Sequence, residues 1–179
     1  MPKSKAEGRE KWMLLSAPPA NPDAVTLTEA NAGIDASCAI SSADSRISAA
    51  ASATFSDPAI CDEIAVTEFG QSNYEGTIAP FRYWDEEGAS EVGSEGQIRD
   101  EVFQALKERD TELYVLIRDT SKRSREPLAT GDEYELYEVT TDNPQRPSSR
   151  EGHQKRLVPL AIRNAWRGTL VGGSGGGEG

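Results

Sequence analysis

The stretch "YVLIRD", Tyr114 to Asp119, limits what this chain can fold into more than any other. Successive side chains of a strand point to opposite faces, so a strand with one wet face alternates apolar with polar. Here Leu113, Val115 and Ile117 fall on one face, and Tyr114 and Leu116 on the other. Both faces are apolar, and both must be covered. A chain of 179 residues fits one domain, so the covers have to come from close by.

The segment before it supplies one cover. Ile98, Val102, Phe103 and Leu106 share a stripe of a helix expected over 98–109, with Arg99, Glu101, Gln104, Lys107 and Glu108 outside it. Ser94 and Gln97 have capping-box spacing at its start. A second sheet supplies the other cover. The fold expected is mainly β: a sandwich of two packed antiparallel sheets with one flanking α-helix. Sheet edges left open in so small a domain pair with other chains, and copies whose sheets continue into one another close a ring without an in-plane edge. In that case neighbours complete the burial around "YVLIRD".

Three regions are expected: an N-terminal arm over 1–24, a β-sandwich domain over 25–171 and a flexible Gly-rich tail over 172–179. The arm contains "SAPPANP", whose prolines forbid a regular helix. Trp12, Met13, Leu14 and Leu15 are sticky for a free arm, and dock either on their own domain or on a neighbouring copy, ordering on assembly in the second case. "TLTEANAG" reads as a short helix with a Thr26–Glu29 capping box and Gly33 as a left-handed cap. "IDASCAI", "EIAVTEF" and "TIAPFRYW" read as strands, with "GQSNYEG" as turn-rich chain between the last two, and Pro80 marks an edge or a bulge. The Ser/Ala run from Ser41 to Thr54 is either a poorly packed hairpin or loop, or a close contact between sheets or subunits. In "GDEYELYEVTTDN" the apolar parity switches between Leu136 and Tyr137, which requires a bulge or two part-covered faces. "KRLVPLAIRNAW" is the last strand, with Val158, Leu160, Ile162 and Trp166 on one face. "PQRPSSREGHQ" is a loop.

Chemistry is sparse. With one histidine, His153, set in a loop, there is no triad or His-based metal site, and no phosphate loop or paired-carboxylate cleft is visible. No catalytic residue, metal or cofactor is assigned, and the chain is not read as an enzyme. Cys38 and Cys61 read as free, buried thiols, with a single Cys38–Cys61 bridge as the alternative. No run approaches ~20 apolar residues, so no membrane span is expected. The apolar run Trp12–Leu15 is too short for a signal-peptide core of ~7–15 residues. Thirty acidic and 19 basic residues give a net charge of −11, which does not attract nucleic acid. Lys122, Arg123 and Arg125 form a local basic patch, either a solvated loop or an ion-pairing surface for an acidic neighbour.

"CDEIAVTEFGQSNYEGTIAPFRYWD", with "SNYEG" and "FRYWD" its most particular parts, resembles the major tail protein, or tail tube protein, of siphophages infecting actinobacteria. "GDEYELYEVTTDNPQRP" followed by "KRLVPLAIRN" agrees, as does the order from "LTEANAGID" to the C-terminal strand; the likeness covers roughly residues 12 to 167. The resemblance implies a non-enzymatic virion protein that forms hexameric rings stacked into a hollow tube. The tube passes phage DNA without specific binding. Tape measure, tail terminator and distal tail proteins are its expected partners, the host cytoplasm its expected place of assembly and the phage tail its destination. Interface residues expected on this reading are Trp12, Met13, Leu14, Leu15, Asn73, Tyr74 and Arg123, and lumen-facing acids are Glu68, Glu75, Glu133 and Glu135. Two other readings compete: a tube subunit of a phage-derived particle, such as a gene transfer agent or injection device, and a monomeric β-sandwich binding module.

Overall fold

The computed structural model describes residues 7–61, 63–64, 67–90 and 100–173. The Ser94–Gln97 capping box, Ile98 and Arg99, Ala65 and Val66 of "EIAVTEF", and the tail from 174 lie outside them.

The chain is mainly β. The strands are β1 (Glu10–Leu15), β2 (Ile34–Asp35), β3 (Arg46–Ala50), β4 (Thr54–Phe55), β5 (Glu68–Phe69), β6 (Asn73–Ile78), β7 (Glu112–Asp119), β8 (Glu133–Thr141) and β9 (Val158–Thr169); the helices are α1 (Leu27–Asn31) and α2 (Glu101–Leu106). Seven strands form one antiparallel sheet in the order β2-β1-β7-β8-β9-β6-β3, and β4 pairs with β5.

The sandwich has two layers made from one curled sheet. Trp12 of β1, Ile117 of β7, Ile47 of β3 and Ile78 of β6 share one core cluster, although β1 and β3 lie near opposite ends of the strand order. Trp12 and Ile47 line a single gap of about 110 Å³ between the layers. Val102 and Leu106 of α2 add to this core. The other face of β1, β7 and β8 is covered by Val25, Ala30, Leu128 and Leu170, which pack on Met13, Leu15, Leu116, Tyr134 and Leu136. Val115 and Leu116 are therefore both fully buried, on opposite faces, within one chain. Neighbouring copies are not needed to cover "YVLIRD".

The apolar part of the N-terminal arm docks on its own domain, the first of the two positions expected for it. Residues 10–15 are strand β1, paired along its whole length with β7, Trp12 opposite Ile117 and Leu14 opposite Val115. Trp12 and Leu14 enter the inner core, and Met13 and Leu15 the outer one. All four side chains are at most 5% exposed. Burying each is worth about 1.5–3 kcal/mol, which outweighs leaving the segment free.

α1 has the capping box expected: Thr26 Oγ1 accepts from the Glu29 amide at 3.2 Å, and Glu29 Oε2 accepts from the Thr26 amide at 2.9 Å. Gly33 is not a left-handed cap, since Ala32 closes the helix in right-handed geometry. A Cβ on Gly33 would stand 2.7 Å from the Leu14 carbonyl oxygen, so its role is close approach to β1. The helix expected over 98–109 is described only as α2, six residues long. Of "IDASCAI" only Ile34 and Asp35 are strand, and Ile40 makes one bridge to Pro80. "SNYEG" is no turn either: Asn73–Gly76 begin β6, where Tyr74 meets Tyr137 edge-on at 6.0 Å and Gly76 fits between Ile47 and Ile162.

The parity puzzle in β8 resolves as two covered faces, with Tyr134 and Leu136 in the outer core and Tyr137 and Val139 in the inner one. The bulge lies in β9: Val139 pairs with Ile162 and Glu138 with Asn164, leaving Arg163 as the extra residue. It reverses the facing of everything after it. Val158, Leu160 and Ile162 point to the inner core, but Trp166 packs on the outer one, which corrects the single face expected for all four.

Candidate assembly surfaces

The described residues of 46–78 form one long hairpin. β3 and β6 pair at its base, bonds between Ala53 and both Gly70 and Gln71 continue the ladder, and β4 and β5 extend it. Asn73 Nδ2 donates to the Ala51 carbonyl at 3.0 Å and ties the two arms together. The small side chains of the Ser/Ala run form its first arm. Four of the six large apolar side chains exposed among the described residues sit on this hairpin: Phe55, Ile60, Ile64 and Phe69, Ile60 fully so and Phe69 at 82%. Thr54 pairs with Phe69 and Phe55 with Glu68, so the two phenylalanines lie on opposite faces of the hairpin. Free in water, these side chains gain nothing; an apolar patch of this kind marks an interaction surface.

A second surface is the uncovered half of the sheet's outer face. Ile47, Gly76, Leu160 and Ile162 face inward, so Arg46, Ser48, Glu75, Thr77, Ala161, Asn164 and Glu138 face out. The face is polar, and its cations are matched: Arg46 lies 3.9 Å from Glu75, and Arg163 2.5 Å from Glu112.

The residues expected at interfaces fall in different places. Trp12, Met13, Leu14 and Leu15 are core, so contact with a neighbour would require unpacking β1. Asn73 is exposed, Tyr74 is half-buried and Arg123 is exposed. The four acids expected to face the lumen lie in different places within the subunit. Glu68 is on the hairpin and Glu75 on the open face, while Glu133 and Glu135, on the inward-facing side of β8, line a cavity of about 490 Å³ with Asp119 and Arg167. Glu135 is already engaged, paired with Arg167 at 3.0 Å and accepting from the Tyr137 hydroxyl at 2.7 Å. Burial and that bond push the Tyr137 phenol well above its usual range.

The basic loop 120–132 is organised from within. Arg118, wholly buried in β7, donates to the carbonyls of Arg123 (2.6 Å), Glu126 (3.1 Å) and Pro127 (3.1 Å) and lies 3.7 Å from Asp132. Lys122 also pairs with Asp132. Sequence reasoning missed this hub, because an arginine in an apolar strand reads as the strand's wet end. The Ser/Ala run reads as a hairpin or a loop, but the exposed apolar side chains beyond it were missed, since "SDP" and the scattered apolar residues around it read as a turn joined to a buried strand.

Among the described residues no three His, Cys, Asp or Glu side chains are grouped to hold a metal. No described helix is long and apolar enough to cross a membrane. Cys38 and Cys61 are unpaired with each other, and both are exposed, which corrects the burial expected of them.

A mainly-β domain whose most distinctive surface is a projecting hairpin with apolar side chains on both faces defines a structural protein built to meet other chains. The family model described as "Phage tail tube protein" matches residues 1–172, and the chain belongs to that family, as a structural subunit of the phage tail tube. The family is structural rather than enzymatic, and its members are components of the virion tail that assemble with themselves and with other tail proteins. No curated protein matches the chain.

Proposed function

We propose that copies of this chain close into hexameric rings that stack into the hollow tail tube, and that the tube conducts the phage genome into the host. The observation that carries the reading is the hairpin 46–78, whose exposed Phe55, Ile60, Ile64 and Phe69 gain burial only on contact with another chain. The ring reading is supported by β3, which closes the sheet's strand order, is bonded to β6 alone and carries the small Ser48, Ala49 and Ala50, so a neighbour's strand has room to approach.

The open polar face of β3, β6, β9 and β8 suits the lumen wall. A wall passes DNA when it does not grip phosphates. Among the described residues of this face, Arg46 and Arg163 each stand beside a glutamate, which leaves no free cation there to hold the backbone. Glu75 is the expected lumen acid that this reading retains. Assembly with tape measure, terminator and distal tail proteins, in the host cytoplasm, completes the proposal.

Electron microscopy of the purified chain across a concentration series, with light scattering alongside, tests it. Tubes or stacked six-fold rings are the expected result. A monomer at every concentration, and still a monomer when seeded with tail tips, would overturn it in favour of a monomeric binding module.

A further inference from the structure

The loop 143–157, between β8 and β9, encloses a cavity of about 310 Å³ lined by Arg146, Pro147, Arg150, His153, Lys155 and Arg156. Lys155 is paired with Asp44. Among the described residues no carboxylate lies within ion-pair distance of Arg146, Arg150 or Arg156, although the chain as a whole carries a charge of −11. Burial, and then the neighbouring Arg146 and Arg82, hold the Arg156 guanidinium below its usual range. Beside the cations His153 stacks edge-on against Phe81 at 5.7 Å, so the rim is also apolar. The site therefore suits a ligand carrying both carboxylates and apolar side chains.

The chain itself carries such a segment. Around its tip the hairpin presents Asp57 and Glu63, both exposed and without an ion-pair partner among the described residues, beside the exposed Ile60 and Ile64. We infer that the cavity receives the hairpin tip of another copy, with Asp57 and Glu63 on Arg146 and Arg150 and the isoleucines against Pro147 and the Phe81–His153 pair. The inference rests on the tube-subunit reading. The placement of the two partners favours contact between copies. β6 runs from Asn73, on the tip side, to Ile78, which pairs with Val158 directly after the cavity loop. Tip and cavity thus lie beyond opposite ends of one strand, the arrangement of a head-to-tail contact that repeats without closing on itself. DNA fits the cavity less well, because phosphates make no use of its apolar rim and the net charge repels them.

The test uses full-length chains with Cys38 and Cys61 replaced by serine. One variant carries Arg150→Cys and a second carries Glu63→Cys; they are mixed under mild oxidation and the disulfide-linked heterodimer is measured. The control pairs Arg150→Cys with Glu138→Cys, which lies on the open sheet face. The hairpin pair is expected to exceed the control about tenfold, to fall to control level with Arg146→Glu added, and to recover when Asp57→Arg is added to the hairpin chain. A yield equal to the control overturns the inference whether or not tubes form. Excess linkage without tubes by microscopy sustains the contact and overturns the tube reading instead. Duplex DNA retained by the parent chain, released by Arg146→Glu with Arg150→Glu, and unaccompanied by hairpin linkage would assign the cavity to DNA and overturn the inference.

Discussion

Arg82 grips Asp100 with both arms of its fork: Nε stands 2.7 Å from Oδ1, and Nη2 3.0 Å from Oδ2. Asp100 is fully buried, and the Arg82 guanidinium lies between two rings, 3.8 Å from Phe103 and 4.2 Å from Trp84. The pair joins α2 to the chain leaving β6. Asp100→Ala leaves a desolvated cation without a partner and is expected to cost about 3–5 kcal/mol, read by urea denaturation. A loss under 1 kcal/mol would mean that the cation–π stack alone holds Arg82.

Stability should fall on the acid side. Burial raises the pKa of Asp100, but hydrogen bonds from Arg82, Gln104 and Ser90 and from the Tyr83 amide outweigh it and hold the carboxyl below its ordinary value. Asp35, beside Lys11 and Ser37, and Asp44, beside Lys155 and Ser41, shift the same way. A depressed folded pKa gives stability that is complete above the unfolded value, near 3.9, and is lost as the pH drops through the folded one. Melting temperature followed from pH 7 to pH 2 should hold level and then decline below about pH 4. A profile as steep in Asp100→Asn as in the parent would remove Asp100 from that account.

Arg118→Met should loosen the loop 120–132 before it unfolds the sheet. The guanidinium satisfies three loop carbonyls at once. Its loss should cost about 3 kcal/mol and speed tryptic cleavage after Lys122, Arg123 and Arg125. Cleavage at the parent rate would show that Lys122 and Asp132 hold the loop by themselves.

Two glycine-to-alanine changes should differ. A Cβ on Gly168 would lie 2.4 Å from the Asp23 carbonyl oxygen and 2.8 Å from the Tyr134 hydroxyl, and backbone cannot give way cheaply. The cost expected is about 1–3 kcal/mol. At Gly76 the nearest atoms are side-chain carbons, Ile162 Cδ1 and Ile47 Cγ1, both at 3.1 Å, which give way more readily than backbone. Thermal melts of the two variants in parallel read the difference, and equal losses would contradict it.

Phe69→Ser with Ile64→Ser should leave the isolated domain within about 0.5 kcal/mol of the parent, because both side chains are exposed. Assembly should fail in the same variant, read by light scattering and microscopy. Full assembly would take the hairpin's apolar side chains out of the subunit contact.

What the sequence disclosed depended on how local each signal was. The Thr26–Glu29 box is written within four residues, and it forms as read. The two faces of Leu113–Ile117 were legible because alternation is a property of the strand alone. "WMLL" carries the same signal, four consecutive apolar residues as in a strand buried on both sides. Its position ahead of a proline-rich stretch masked it, and so did the distance to its partner. The flip of Trp166 depends on one unpaired residue, Arg163, which alternation cannot reveal because the register is set by β8. The assembly surfaces were the least legible. Phe55 and Phe69 look like core residues until the hairpin is seen to leave the domain. Arg146, Arg150 and Arg156 look like a solvated loop until it closes around a cavity.

The pairing of β1 with β7 also sets a timetable. Trp12 lies opposite Ile117, so a ribosome must add about 100 residues after the apolar run before its partner exists. At about 5–20 residues per second that is a wait of roughly 5–20 s. Throughout synthesis of the hairpin, only the two-residue β2 is there to pair with the strand that seals the domain. The nascent chain therefore presents its future core and its future contact surface together, and only the arrival of β7 takes the first of them out of circulation.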